Sequence, residues 1–178
     1  MDSINQQQSE ENRRDLNDQA AIEKIKELAK KAESCFFCTS IRSGSPFETR
    51  PMSPQKIDDN GIFWFLSASD SHKNAEIQND EKVQLLFQGG PHSDFLNLYG
   101  KASISADQAL IKELWDPILK VWFTEGIDDP RITVLRFEPE EGYYWDTKHG
   151  TAVAFIKQLA GAAIGKTIDD SIEGEIKV

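Results

Sequence analysis

The sequence predicts a mainly β (α+β) domain, an antiparallel β-barrel of six to seven strands with peripheral helices at its start, middle and end. Three observations support this prediction. About seven strand-like segments follow one another with turn residues between them, an order typical of hairpins. Helical segments do not alternate regularly with the strands, as a doubly wound fold requires. The 178 residues are 39% hydrophobic and 28% charged, which suffices for one compact core. A closed or partly open barrel therefore fits best.

The first predicted elements are a tail and a helix. Residues 1–16 are polar and lack aromatic side chains, so we expect a disordered N-terminal tail. A helix should follow, because apolar residues then recur every three or four positions opposite charged ones. The apolar positions are Ile22, Ile25, Leu28, Ala29 and Ala32.

Three strands are predicted next, over residues 35–41, 47–57 and 62–67. The turn Asp58–Gly61 between the last two favours a hairpin, since Asn and Gly tolerate the positive φ of tight turns. The third strand contains IFWFL, which is apolar on both faces. We therefore expect a central strand that is buried on both sides, with Trp64 in the core.

The middle of the chain predicts a short helix and two strands. The helix covers residues 71–79 and starts at Ser71, and the strands cover 83–88 and 96–104. Gly100 lies inside the second strand, where it marks a barrel bend or the close approach of another backbone.

The last third predicts a helix capped by Asp107 and interrupted by Pro117. Strands over 132–137 and 143–145 complete the sheet. A final helix is expected over 151–164.

Three segments make up the predicted domain organisation. Residues 1–16 form the tail already described, residues 17–165 form one domain, and the acidic residues 166–178 form a loose C-terminal tail. We find no internal repeat.

Charge and hydropathy exclude several classes of partner. The formal net charge is −10, which disfavours binding to nucleic acid phosphates. The longest apolar run, Ile62 to Leu66, is far too short to span a membrane, and the N-terminus lacks the apolar region of a signal peptide. We therefore expect a cytoplasmic protein without a membrane partner.

The two cysteines, Cys35 and Cys38, form a C-x-x-C pattern within a predicted strand. Residues three apart on a strand point to opposite faces, and one such pair supplies only half of a structural zinc site. We interpret both as buried thiols. The histidines are far apart in sequence, and no metal site is predicted; His92 and His149 are assigned structural or surface roles.

Nucleotide and hydrolase motifs are missing: the sequence has no G-x-G-x-x-G, no P-loop and no G-x-S-x-G. One constellation remains, in which Arg50 lies on a strand and Ser67, Ser71, His72 and Lys73 lie at or near the start of a helix. A helix N-terminus, a serine hydroxyl and two cations suit a phosphate. The alternative is a capped helix with two surface cations.

The remaining tryptophans allow two interpretations. Trp115 and Trp122 flank the Pro-interrupted helical stretch, and one helix face cannot bury both Trp122 and Phe123. They either fill the edge of the core, or form an interface or the wall of a ligand site.

Longer stretches resemble the general stress proteins of the pyridoxamine 5'-phosphate oxidase-like split-barrel superfamily. The matching stretches are TRPM (49–52), DDNGIFWFLSASDSHKNAEI (58–77), LYGKASISAD (98–107), ELWDPILKVWFTEGIDDPRITVLRFEP (113–139) and YYWD (143–146). The resemblance implies a split β-barrel homodimer with a flavin, FMN or alternatively FAD, at each of two interface sites.

The resemblance also implies roles for individual residues. Arg50 and the backbone of Met52 would contact the flavin, and Ser67 would lie beside it. Ser71, His72 and Lys73 would hold the phosphate. Trp115 and Trp122 would approach from the middle helical region, from the same subunit or its partner.

One departure from the family concerns the substrate. The true oxidases have a flavin-contacting Gln where this chain has Phe95, and their C-terminal Arg and His pattern has no counterpart after Trp145. Pyridoxamine phosphate is therefore not the expected substrate. Three functions stay open: a flavin-dependent oxidoreductase of a stress response, a non-enzymatic flavin-binding or flavin-buffering protein, and a ligand-free dimeric interaction protein. A barrel that binds haem is disfavoured, because no axial His is well placed.

Overall fold

A computed structural model describes residues 12–43, 46–91, 93–150, 157 and 170–178. The strands are β1 (Leu16–Asn17), β2 (Cys35–Thr39), β3 (Glu48–Met52), β4 (Lys56–Ile57), β5 (Phe63–Ala68), β6 (Lys82–Gln88), β7 (Phe95–Ser105), β8 (Ile132–Thr147) and β9 (Ser171–Lys177). The helices are α1 (Asp18–Ala32), α2 (His72–Asn79) and α3 (Gln108–Leu114), followed by 3₁₀ turns at Pro117–Val121 and Gly126–Asp128.

The strands form one mixed sheet that does not close, with the order β1-β9-β8-β7-β6-β2-β3. The pairs are antiparallel except for the short parallel pair β1–β9. This is a split-barrel-like α+β fold, which confirms the predicted fold class. The predicted strands 132–137 and 143–145 are the two ends of β8. The register between β7 and β8 shifts at Tyr99 and Gly100, which marks a bulge, and β8 continues through it. A Cβ on Gly100 would lie 2.1 Å from the Glu138 carbonyl oxygen, so a glycine permits this close approach of the two strands.

The core has two parts, and β5 lies between them. The larger cluster fills the barrel and includes Phe63 and Phe65, which are fully buried. The smaller one lies under α3 and the 3₁₀ turns and includes Leu66. The prediction that β5 is buried on both faces is therefore confirmed.

Its predicted central position holds in part, because β5 is paired on both edges but unequally. Strand β5 pairs with β8 along its whole length, but its other edge pairs with only the two residues of β4. Trp64 is half-buried beside the smaller cluster, and its indole N–H donates to Asp58 Oδ2 at 3.1 Å.

Local signals for turns and caps are confirmed. Gly61 has a φ of +76° in the hairpin between β4 and β5. The Asp107 carboxylate accepts hydrogen bonds from the backbone N–H groups of Ala109 and Leu110 at the start of α3. That helix ends at Leu114, before Pro117.

Both predicted tails need correction. Residues 171–177 form β9, which pairs with β8 from Thr147 to Glu141, and the backbone of Asn12 to Asn17 lies along the other edge of β9. Leu16 is buried in the main cluster, so burial of apolar surface stabilises this attachment. Residues 1–11 and the predicted helix 151–164, except Lys157, lie outside the described residues.

None of the described helices is long and apolar enough to cross a membrane.

Candidate functional site

A cleft of about 490 Å³ lies where the end of β3, the end of β5, the start of α2 and the Pro117–Val121 turn meet. Four of the sequence-predicted site residues line it: Met52, Ser67, Lys73 and Trp122. Arg50, Ser71, His72 and Trp115 do not line it. The volume falls in the range of pockets that hold small ligands and cofactors.

Lys73 supplies the positive charge of this cleft. Its side chain is half-buried, and within the described part of the chain it makes no hydrogen bond or ion pair. Burial and the nearby charge of Arg50 lower the pKa of Lys73, while Glu76 and Asp70 partly oppose this shift. A partly desolvated ammonium without a counter-ion favours an anionic ligand.

Arg50 is not among the residues that line the cleft. The predicted hairpin would place it opposite β5, but β3 pairs with β2 and sets Arg50 opposite Phe37. Of the predicted strand 47–57, only the two residues of β4 pair with β5. The guanidinium donates from Nη1 to Thr39 Oγ1 at 2.6 Å and from Nη2 to Glu76 Oε2 at 2.8 Å.

The serines belong to a buried network centred on Asn74, a residue that the sequence interpretation missed. Asn74 Oδ1 accepts from Ser67 Oγ at 2.7 Å and from Ser71 Oγ at 3.1 Å. Its Nδ2 donates to Thr133 Oγ1 at 2.9 Å, and Thr133 in turn donates to the Ser67 carbonyl. The network joins α2, β5 and β8 and fixes the Ser67 side chain at the cleft. A polar residue on the buried face of a short helix is the signal that could have revealed it.

Ser71 and His72 lie at the start of α2. Ser71 occupies the N-cap position, but its hydroxyl does not cap the helix and lies 3.2 Å from Ser67 Oγ instead. His72 is exposed and does not line the cleft.

Trp115 and Trp122 have different environments, so a different one of the two interpretations applies to each. Trp115 is half-buried and packs against Phe123, with ring centroids 6.3 Å apart, so it fills the edge of the smaller core cluster. Trp122 lines the cleft and remains 64% exposed. Its neighbours Ile118 and Val121 are exposed by 68% and 73%. An apolar surface therefore adjoins the mouth of the cleft.

A second apolar cleft of about 450 Å³ shares Ser34 and Pro51 with the first. Phe36, which is 56% exposed, and Phe95 and Trp145 contribute to its walls. The apolar surface thus continues from the first cleft across the outer face of the sheet.

The cysteines and histidines bear on metal binding. Cys35 and Cys38 are buried free thiols, as predicted, and burial raises the pKa of Cys35. His149 Nδ1 lies 2.7 Å from Asp170 Oδ1, and His92 lies outside the described residues. No group of His, Cys, Asp and Glu side chains in the described segments could hold a metal ion.

Comparisons with known proteins agree with this fold. The model of the family described as "Pyridoxamine 5'-phosphate oxidase like" matches residues 20–169. General stress protein 26 of Bacillus subtilis (strain 168) is 32% identical over 78 residues, which cover 42% of this chain and 55% of that protein. The chain spans about half the length of the curated relatives it matches.

Solved structures extend the similarity. A protein described as general stress protein 26 from Jannaschia sp. CCS1 superposes with a TM-score of 0.73 at 23% identity, covering 88% of this chain and 97% of that one. A general stress FMN/FAD binding protein from Xanthomonas citri has a TM-score of 0.57 at 24% identity, with coverage of 67% and 84%. At these identities the structures establish a shared fold.

Proposed function

The chain belongs to the pyridoxamine 5'-phosphate oxidase-like family, and from that premise we propose that it binds a flavin phosphate, FMN or alternatively FAD, in the cleft around Lys73. The observation that carries this proposal is the half-buried Lys73 ammonium, which lines an apolar cleft without a counter-ion in the described chain. A phosphate group would provide that counter-ion.

The other cleft residues fit a planar ring system. Met52, Leu66, Trp122 and Phe123 provide apolar and aromatic walls. Ser67 provides a polar atom fixed by the Asn74 network. We propose that these residues flank the isoalloxazine ring, that Ser71 and His72 lie near the phosphate at the start of α2, and that Arg50 and Trp115 support the site from behind.

We propose an oxidoreductase role for the bound flavin. When bound, the flavin supplies electron or hydride transfer, and the protein contributes position, electrostatics and exclusion of water. Lys73 is the ionisable side chain among the described residues that line the cleft. Its proposed role is to attract the negative charge of the ligand, and it does not act as a nucleophile. Phe95, half-buried at the start of β7, provides no polar contact to a ring. A substrate other than pyridoxamine phosphate therefore fits better.

We also propose a homodimer, because exposed apolar side chains lie beside the cleft. Trp122 is mostly exposed beside two exposed aliphatic residues, and the second apolar cleft adjoins the first. A second copy over this surface would bury these side chains and close the site. The two free buried thiols fit a reducing compartment such as the cytoplasm.

A flavin titration tests the proposal. Purified protein should quench FMN fluorescence with saturation, and riboflavin, which lacks the phosphate, should bind more weakly. Gel filtration with light scattering should give twice the mass of one chain. No binding of FMN or FAD at micromolar concentration would reject the cofactor and favour a ligand-free interaction protein. Tight FMN binding without reduction by NADH, NADPH or a thiol would favour a flavin-buffering role.

A further inference from the structure

Asp129 and Arg131 form an ion pair between the Gly126–Asp128 turn and β8. Arg131 donates from Nε to Asp129 Oδ1 at 3.0 Å and from Nη2 to Asp129 Oδ2 at 2.8 Å. The Asp129 side chain is 1% exposed, and it also accepts a hydrogen bond from the Arg131 backbone N–H. These hydrogen bonds hold the pKa of Asp129 below its usual range. A two-pronged pair of this kind fixes the orientation of the guanidinium.

From this position Arg131 connects two walls of the first cleft. Its Nη2 donates to the Trp122 carbonyl oxygen at 3.5 Å, on the wall that follows the Pro117–Val121 turn. Its own carbonyl oxygen accepts from the Ser69 N–H at 2.7 Å, and its Nη1 lies 3.9 Å from Asp70 Oδ2. Both of these residues follow the end of β5, which forms another wall. One arginine therefore links the Trp122 segment to the loop between β5 and α2.

Trp122 gains little support from packing of its own ring. The side chain lines the cleft but is 64% exposed, whereas Phe123 beside it is buried in the smaller core cluster. The Trp122 N–H donates to the Leu119 carbonyl oxygen at 3.0 Å, and the Trp122 carbonyl oxygen accepts from Arg131. Because an exposed side chain changes rotamer readily, the backbone determines which positions this ring can reach.

We propose that Arg131 is a positioning residue that holds Trp122 at the cleft, so that the indole covers the ring system of a bound flavin. This inference rests on the proposed function. It gives a role to the sequence GIDDPR (126–131), which belongs to the longest stretch that resembles the family. Trp122 then contacts the rings that FMN and riboflavin share, so Arg131 should affect both ligands equally.

The first measurement needs no flavin. Protein labelled with fluorotryptophan gives one fluorine NMR resonance for each of its four tryptophans, and Trp122→Phe identifies the Trp122 resonance. Arg131→Met removes the guanidinium and retains an unbranched stem. The Trp122 resonance should then sharpen and move towards that of free tryptophan, while the Trp64 and Trp145 resonances stay in place. An unchanged Trp122 resonance would overturn the inference and leave the proposed function standing.

The second measurement titrates the variants with FMN and with riboflavin. Trp122→Ala should weaken both by roughly five- to fiftyfold, as the loss of an aromatic side chain stacked on a base does. Arg131→Met retains the indole and should weaken both by roughly three- to tenfold, a part of that loss. In the Trp122→Ala background, Arg131→Met should change either affinity by less than about twofold, because the group that it positions is missing. Additive losses would show that Arg131 acts independently of Trp122, and would overturn the inference.

Two variants separate position from charge. Arg42→Met is the matched control: Arg42 donates to both carboxylate oxygens of Asp80, does not line the cleft, and its loss changes the net charge equally. It should leave both titrations within about twofold of the wild type. Arg131→Lys retains the charge but lacks the planar fork that joins Asp129 to Trp122, so it should weaken both flavins. If Arg131→Lys binds them as the wild type does, charge alone suffices and the inference is wrong.

The ratio of FMN to riboflavin affinity distinguishes the remaining outcomes. Weaker FMN binding with unchanged riboflavin binding in Arg131→Met would mean that its charge acts on the phosphate, and would overturn the positioning role. Binding of neither flavin by the wild type would overturn the proposed function and, with it, the flavin-covering role of Trp122.

Discussion

Replacing Lys73 with methionine removes the charge on which the proposed phosphate site depends and retains an unbranched stem of similar length. Lys73 has no competing partner in the described chain, so its hydrogen-bonding capacity is available to a ligand. A hydrogen bond to a charged group contributes about 1.5–3 kcal/mol, and the partial exposure of Lys73 favours the lower half of this range. We expect FMN to bind about 10- to 50-fold more weakly.

Fluorescence titrations with FMN and riboflavin measure this change. Riboflavin binding should be unaffected by Lys73→Met, because the ring contacts remain. Lys101→Met is the matched control: Lys101 lies on the surface, 3.6–3.7 Å from Glu140 and Glu81, and its loss changes the net charge equally. It should leave FMN binding within about twofold of the wild type, since exposed charges at a distance are screened.

The stability of Lys73→Met separates a binding defect from a folding defect. The folded-state pKa of Lys73 is lowered, so burial of its charge opposes folding at every pH below that pKa, and this cost disappears as the pH rises towards 10.5. At neutral pH the variant should be at least as stable as the wild type in urea. Equal loss of FMN and riboflavin binding, or unchanged FMN binding, would refute the assignment of Lys73 to the phosphate.

Two further predictions concern the framework of the site. Asn74→Ala leaves the buried groups of Ser67 and Thr133 without a partner and should cost about 2–4 kcal/mol in urea unfolding; a loss below about 0.5 kcal/mol would contradict the network. Gly174→Ala would place a Cβ 2.0 Å from the Arg14 carbonyl oxygen, so the N-terminal strand should detach. Hydrogen exchange of the Arg14 amide, which donates to the Glu173 carbonyl at 2.8 Å, should then become fast.

The parts of the fold that the sequence predicted correctly depend on local signals. The double-sided burial of β5 follows from an uninterrupted apolar run, and the turn at Gly61 and the cap at Asp107 follow from residue types with strong local preferences. Such signals depend on only a few neighbouring residues, so they can be interpreted without knowing how the rest of the chain folds.

Pairing partners could not be predicted in the same way. The acidic composition of residues 166–178 suggested a loose tail, yet Ile172 and Ile176 of β9 contact the core while Glu173 and Glu175 alternate with them. Strand β9 pairs with β8 on one edge and with the N-terminal strand on the other. On the second edge Leu16 lies opposite Ile176, which is more than 150 residues away in the sequence. Separation of that size hides the pairing from composition.

The candidate site shows the same division. Residue types suited to a phosphate identified Lys73, which the structure places on the cleft wall. The pairing of β3 with β2, and not with β5, then brought Arg50 to Thr39 and Glu76. A list of cations near a helix start cannot distinguish a free charge from a neutralised one, since this depends on which carboxylate the fold brings within reach.

The net charge of −10 makes this distinction decisive for the function. The long-range field of such a chain repels anions, so a phosphate gains affinity only where screening is weak and a cation lacks a partner. Many of the described lysines and arginines are satisfied by nearby carboxylates, as in the pairs of Lys31 with Asp94 and of Arg131 with Asp129. Lys73 differs because it is half-buried in a cleft with several apolar wall residues and makes no ion pair within the described segments. An anionic ligand of an acidic protein therefore gains most beside a partly buried cation that the protein's own carboxylates do not neutralise.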